Sequence, residues 1–253
     1  MLKPSPNLLI VSDFPNIRTN FHPENPQLSF LAAHKRLYCS VLQECLDYFA
    51  KFCKIVLCCA LNNNYFKAIQ LTLEMLRHRV GSPLSFASLA RDIHCSPNTI
   101  KRYVEILEAL FIIFRVTPYH RNIARSLLKE PKIYFYDTGM VKGDEGIRFE
   151  NLIACNLLKH VNAIEDYEGK RAELKYLRTK EKKEVDFVSV VEDRPISLVE
   201  TKLSDATVSP TLKYFNRKYG FSAIQVIKNL RQEKMSDLVE LRKGVNFLKT
   251  LKL

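Results

Sequence analysis

Glycine is scarce in this chain, seven in 253 residues, and none is placed to build a P-loop. That loop needs G-x-x-x-x-G-K-[ST], because only glycine lets backbone N–H groups come close to phosphates. The one Gly-Lys step, Gly169-Lys170, is followed by Arg171 and has Ile164 where the first glycine belongs. A nucleotide site of that kind is excluded, and no ATPase activity is expected from this chain alone. The seven cysteines are an odd number. Cys39, Cys45, Cys53, Cys58 and Cys59 show neither a C-x-x-C pair nor a histidine at zinc-finger spacing, so they read as reduced, mostly buried thiols. Long apolar runs are missing too: the richest, Ile55 to Leu61, is far short of the roughly 20 residues that span a bilayer. The start does not resemble a signal peptide. A cytoplasmic location without a membrane partner is expected.

Negative charge is the minority. Asp and Glu number 27 against 39 Lys and Arg, a formal net charge of +12, with pI near 9.3. Such an excess favours a polyanionic partner, nucleic acid first. A hydrophobic content of 47% allows one large core or two modest ones. Two domains are expected.

Residues 1–65 read as loop and a helical N-terminal remnant: the stretch up to about position 36 is rich in Pro and Asn, and apolar density rises from Leu37 to Leu61. A helix over Phe66 to Val80 carries Ile69, Leu73, Leu76 and Val80 on one face. Ser85 can cap a short helix through Ile93, and His94-Cys95-Ser96 forms a tight turn. Ser96 before Pro97 is a strong helix start, followed by the stripe Ile100, Val104, Leu107 and Phe111. That pattern leaves Asn98, Thr99, Lys101, Arg102 and Glu105 exposed. The arrangement fits a helix-turn-helix presenting polar side chains to DNA, and it also fits an ordinary helical hairpin with a solvated face.

Two strand-like runs follow, Ile112 to Val116 and Lys132 to Tyr136. The loop between them holds His120, Arg121, Arg125, Lys129 and Lys132 against the single acid Glu130. A ribbon with a basic tip after such a helix pair makes a winged helix over 66–142, whose wing, with Arg121 and Arg125, contacts phosphates. After Gly146 come an amphipathic helix with Phe149, Leu152, Ile153 and Leu157, strands, a helix from Pro210 to Tyr219 and a further strand. The segment 143–235 therefore reads as α/β with a mixed sheet, and 236–253 as a C-terminal tail. Lys170, Arg171, Lys175, Arg178, Lys180, Lys182 and Lys183 make the approach to the next feature positive.

That feature is Glu184 to Lys202, two β-branched runs around the turn Glu192-Asp193-Arg194-Pro195. Asp186, Glu200 and Lys202 sit inside the runs, where an unpaired charge costs several kcal/mol. Period-two alternation puts Glu200 and Lys202 on one face, and a turn centred on Asp193 sets Asp186 opposite Glu200. Facing carboxylates repel unless a cation lies between them, and Mg²⁺ is bound by one or two carboxylates plus waters. A nearby lysine would orient or deprotonate a water. The pattern D-x₁₃-E-x-K is loose, however, and equally compatible with a hairpin end that emerges into solvent.

Five blocks in order carry a resemblance: S-L-A-R-D-I-H-C-S-P-N-T-I-K-R-Y (Ser88 to Tyr103), P-K-I-Y-F-Y-D-T-G (Pro131 to Gly139), G-I-R-F-E-N-L (Gly146 to Leu152), E-V-D-F-V (Glu184 to Val188) and V-E-T-K (Val199 to Lys202). Together they resemble the C-terminal half of a family of bacterial and archaeal AAA-type ATPases, in which a winged helix precedes a domain of unknown function similar to the PD-(D/E)XK nuclease fold. The resemblance implies a winged helix-turn-helix followed by a restriction-endonuclease-like mixed-sheet domain. It implies Glu150 as the helix-borne acid of the site, Asp186 and Glu200 as metal-binding carboxylates for Mg²⁺, and Lys202 as the water-activating base. Without its P-loop the chain is expected to be a truncated or split product of an ATPase gene, or to rely on a partner that supplies the ATPase module. Two functions stay open: a Mg²⁺-dependent DNA endonuclease, and a non-catalytic nucleic-acid- or partner-binding protein that keeps the nuclease fold as a scaffold.

Overall fold

The computed structural model describes residues 63–119, 130–179, 183–204 and 207–251, all in the unit Lys54–Leu253. The expected helix over 37–61 and its cysteines, the loop with Arg121 and Arg125, and Lys180 and Lys182 lie outside the described residues.

Three helices open the described part of the chain. Helix α1 (Asn63–Arg77) buries Ile69 and Leu76. Gly81 leaves it at φ +74, a left-handed conformation that glycine adopts without steric cost. Helix α2 (Phe86–Ile93) is capped by Ser85, whose side chain accepts from the Ser88 N–H, and buries Leu89 and Ala90. His94 stops it at φ 57. Helix α3 (Pro97–Ala109) opens on Ser96, whose Oγ accepts from the Thr99 N–H at 3.1 Å. Its buried face is Ile100, Tyr103, Val104 and Leu107.

Phe111 departs from the expected stripe. The helix ends at Ala109, the Ile112 N–H turns back to the Leu107 carbonyl, and Phe111 sits at φ 54 with 72% of its surface exposed. A chain reversal throws the next side chain outward however well it matched the helical period.

The strands form one eight-stranded mixed sheet in the order β2-β1-β3-β4-β5-β6-β8-β7. They are β1 (Ile113–Pro118), β2 (Lys132–Phe135), β3 (Ala172–Arg178), β4 (Glu184–Val191), β5 (Arg194–Lys202), β6 (Ser222–Ile227), β7 (Lys234–Ser236) and β8 (Val239–Lys243). β1 pairs antiparallel with β2 and parallel with β3, so the ribbon that follows the helices is itself part of the sheet. Among the described residues three further α-helices follow, α4 (Glu145–Glu168), α5 (Pro210–Tyr219) and α6 (Gly244–Thr250), besides a short 3-10 turn at Thr138–Met140.

Helices cover both faces. Phe149, Ile153, Ala154, Leu157 and Val161 of α4 join Leu174, Tyr176, Phe187 and Val199 in the larger core, together with the buried faces of α1 to α3. Leu212 and Phe215 of α5 join Val185, Val188, Leu198, Ala223 and Ile227 in the smaller one. Each fully buried side chain of this size contributes about 1.5–3 kcal/mol. Leu152, expected inside, is 40% exposed. The α4 position beside it, Asn151, is fully buried instead: its Oδ1 accepts from the Phe135 N–H at 2.8 Å and its Nδ2 donates to the Phe135 carbonyl at 2.9 Å. A side-chain amide thus completes the end of β2 as a neighbouring strand would.

Candidate functional site

The β4–β5 hairpin sets the register of the acids. Glu192 and Asp193 both have positive φ, 48 and 61, in a two-residue turn between paired Val191 and Arg194. Such a turn alone would set Asp186 across from Val199. Between Ser189 and Val190 the register shifts, so that Ser189 faces Ser197 and Phe187 faces Val199. Ile196 is the extra residue of this bulge, and continuing the register brings Asp186 alongside Glu200. A second bulge falls on Asp186 itself: Lys175 faces Val188 and Leu177 faces Val185, so Asp186 and Phe187 oppose the single residue Tyr176. Bulges bend a strand and re-aim its side chains.

Asp186 Oδ2 accepts two hydrogen bonds from Thr201, from the backbone N–H and from the hydroxyl, both at 2.9 Å. Its Oδ1 lies 3.8 Å from the Lys132 ammonium. Lys132 Nζ also stands 2.7 Å from Glu184 Oε1 and 3.9 Å from Glu150 Oε1, and 5.4 Å from the centre of the Tyr176 ring. Glu150, one turn into α4, accepts at Oε1 from the Tyr134 hydroxyl at 2.7 Å. Lys202 Nζ lies 3.2 Å from Glu200 Oε1. The other oxygen of Glu200, Oε2, is buried with no hydrogen-bond partner among the described residues.

Electrostatics follow from this crowding. Burial, and then the charge of Asp186, push the Glu150 carboxyl up to about 8, against the opposing pull of Lys132. Burial and the same aspartate push Glu200 up to about 7, with Lys202 opposing. For Lys132 burial acts to lower the pKa, but the charges of Asp186, Glu150 and Glu184 outweigh it and hold the ammonium above its usual range. Burial and the neighbouring Glu150 and Asp186 raise Tyr134 well above its ordinary value, so it stays a donor.

Of the expected site residues, Glu150 and Asp186 meet around Lys132, while Glu200 and Lys202 form a pair that Asp186 links electrostatically to them. Sequence reasoning missed Glu184 and Tyr134, and it placed Lys132 at the basic tip of the wing. Lys132 is instead 1% exposed. A lysine opening the apolar run K-I-Y-F-Y was the available signal: a charge at the start of a buried strand needs counter-charges, and three carboxylates supply them.

Among the described residues, no three His, Cys, Asp or Glu side chains are arranged to hold a metal ion by themselves. The donor set suits a hard cation that keeps most of its waters, as Mg²⁺ does. The unpartnered, buried Glu200 Oε2 is the observation that fits such an ion. Asp186 and Glu200 would hold it.

The helical residues expected to face nucleic acid lie at the start of α3. Asn98, Lys101 and Arg102 are exposed, and Thr99 is half-buried with its hydroxyl 2.8 Å from Ser96 Oγ.

The architecture is mixed α+β, with helices around an eight-stranded sheet, and known proteins share parts of the chain that builds it. Residues 61–147 match the family described as Domain of unknown function (DUF8612), and residues 145–245 match Domain of unknown function (DUF4143). The latter is a C-terminal domain typical of AAA-ATPase-associated proteins. An uncharacterized protein of Mycobacterium bovis and one of Mycobacterium tuberculosis are each 28% identical over 149 residues, covering 55% of this chain and 33% of theirs. This chain thus spans about a third of the length of the curated relatives it matches. No solved structure matches. Among the described residues no helix is long and apolar enough to cross a membrane.

Proposed function

We propose that this chain is a DNA-binding protein in which α2, α3 and the β1–β2 ribbon act as a winged helix and the remaining sheet and helices as a PD-(D/E)XK nuclease-like body. It works with an ATPase module supplied by a partner, and its carboxylate site takes one Mg²⁺ and hydrolyses a phosphodiester. The carrying observation is that Glu150 of α4 and Asp186 of β4 meet around one ammonium, while Glu200 of β5 keeps a buried carboxylate oxygen without a partner among the described residues. A bound Mg²⁺ would neutralise phosphate charge and acidify a water. Asp186 and Glu200 would hold the ion, Thr201 fixes the Asp186 carboxylate, and Lys202, 40% exposed beside Glu200, would orient the attacking water as an ammonium and take its proton only in its neutral, deprotonated form. Asn98, Thr99, Lys101 and Arg102 face the duplex, with Arg121 and Arg125 on the phosphates. Incubation of supercoiled plasmid with Mg²⁺ or Mn²⁺ tests the chemistry: wild type nicks, Asp186→Ala and Lys202→Ala do not. Equal nicking by all three, or none by any, removes hydrolysis.

A second reading is favoured by one specific contact. The Lys132 ammonium already sits among Glu150, Glu184 and Asp186, and a site so neutralised serves as the rigid centre of a non-catalytic DNA- or partner-binding module. DNA binding without metal-dependent nicking is the outcome that selects it.

A further inference from the structure

We propose that the Lys132 ammonium occupies one cation position of the carboxylate cluster, so that the site accepts one divalent ion fewer than its acids would otherwise hold. The proposal rests on the reading of Asp186 and Glu200 as ion ligands, and its test separates the two.

Four carboxylates, Glu150, Glu184, Asp186 and Glu200, meet two lysines, Lys132 and Lys202, with Arg178 Nε 3.5 Å from the outer oxygen of Glu184. The two lysines are not equivalent. Lys202 is 40% exposed and reaches Glu200 from the solvent side, whereas Lys132 is 1% exposed and within 4 Å of three different carboxylates. A hard divalent ion would seek such a position, gathering oxygens from separate elements. Lys132 is delivered there by β2, the strand that closes the ribbon after the helices, where it pairs with Val116 and bridges Pro83. The Tyr176 ring lies against the same ammonium and the Tyr134 hydroxyl holds the Glu150 oxygen nearest to it. The position is therefore built around a covalently tethered cation. What remains for a free ion is the other end of the cluster, where Glu200 Oε2 lacks a protein partner among the described residues.

Removing the tethered charge reopens the first position. Mn²⁺ binding to the full chain, counted by electron paramagnetic resonance of the free ion and by calorimetry, compares wild type with Lys132→Gln and Lys132→Met. The expected result is one additional Mn²⁺ per chain in both variants, with Lys132→Arg matching wild type. Equal stoichiometry in wild type and in both charge-removing variants overturns the proposal, as does a wild type that already takes two ions. A wild type that binds none while the variants bind one leaves Lys132 as the cation and refutes only the ion-binding reading of Asp186 and Glu200. If Lys132→Gln and Lys132→Met are unfolded in EDTA, Mn²⁺ is expected to restore their circular dichroism, and failure to do so also overturns the proposal.

Discussion

A Cβ placed on Gly81 would stand 2.7 Å from Oε1 of Glu150. The turn that leaves α1 is therefore seated directly on a half-buried acid of the candidate site, at a residue that also holds φ +74.

Gly81→Ala should accordingly destabilise the protein twice over. A non-glycine residue in the left-handed region costs about 1–2 kcal/mol, and displacing Glu150 from Tyr134 adds to it. Urea unfolding should show a loss of about 2 kcal/mol or more, and Glu150→Ala in the same chain should recover part of it. Strict additivity of the two substitutions would show that the contact does not matter.

Stability should fall between about pH 5 and pH 8. Glu150 and Glu200 have folded-state pKa values raised to about 8 and about 7. In that window the native state keeps protons that the unfolded chain has released, so the contribution is complete below the unfolded carboxylate range and is lost as pH rises through the folded values. One retained proton gives a slope of about 1.4 kcal/mol per pH unit. Chemical denaturation at stepped pH should show the decline, and Glu150→Gln should flatten it. A flat or rising wild-type profile would contradict the placement of these acids.

Asn151→Ala should be among the most damaging single changes. It strands the N–H of Phe135 in the core, leaves the Phe135 carbonyl only the Cys155 thiol as a donor, and also removes a donor to Thr138 Oγ1 at 3.1 Å. Each buried unsatisfied group costs about 1–3 kcal/mol. A large drop in melting temperature is expected, against a small one for the neighbouring Leu152→Ala, whose side chain is exposed.

For nucleic acid, Lys101→Gln and Arg102→Gln should weaken duplex binding. Each phosphate that a variant no longer neutralises lowers the slope of log K against log salt by about one. Titration by fluorescence anisotropy at several salt concentrations reads this directly. A wild-type slope near zero would remove phosphate-driven binding altogether.

Local order was legible in the residues themselves. Ser85 and Ser96 cap their helices, Pro210 to Tyr219 is a helix with the expected bounds, and the alternation of β4 and β5 is visible in their valines and acids. These features depend on neighbours a few positions away, where propensity and periodicity operate. The register expected of the hairpin is reached by a route the residues do not display: the turn is tighter than expected, and the bulge at Ile196 shifts the pairing so that Phe187 faces Val199. Phe111 shows the limit of periodicity, since a chain reversal overrides it.

Tertiary structure alone decided what surrounds the acids. Lys132 looked like part of a basic loop because its sequence neighbours are basic. Its counter-charges come from α4 and β4, tens of residues away, and only the assembled sheet brings them within reach. Charge in a sequence is counted by position, whereas the energy of a buried charge depends on distance and on water excluded. For that reason the residues pointed to Asp186 and Glu200 and the family resemblance to Glu150, while the fold supplied Glu184 and the cation between them.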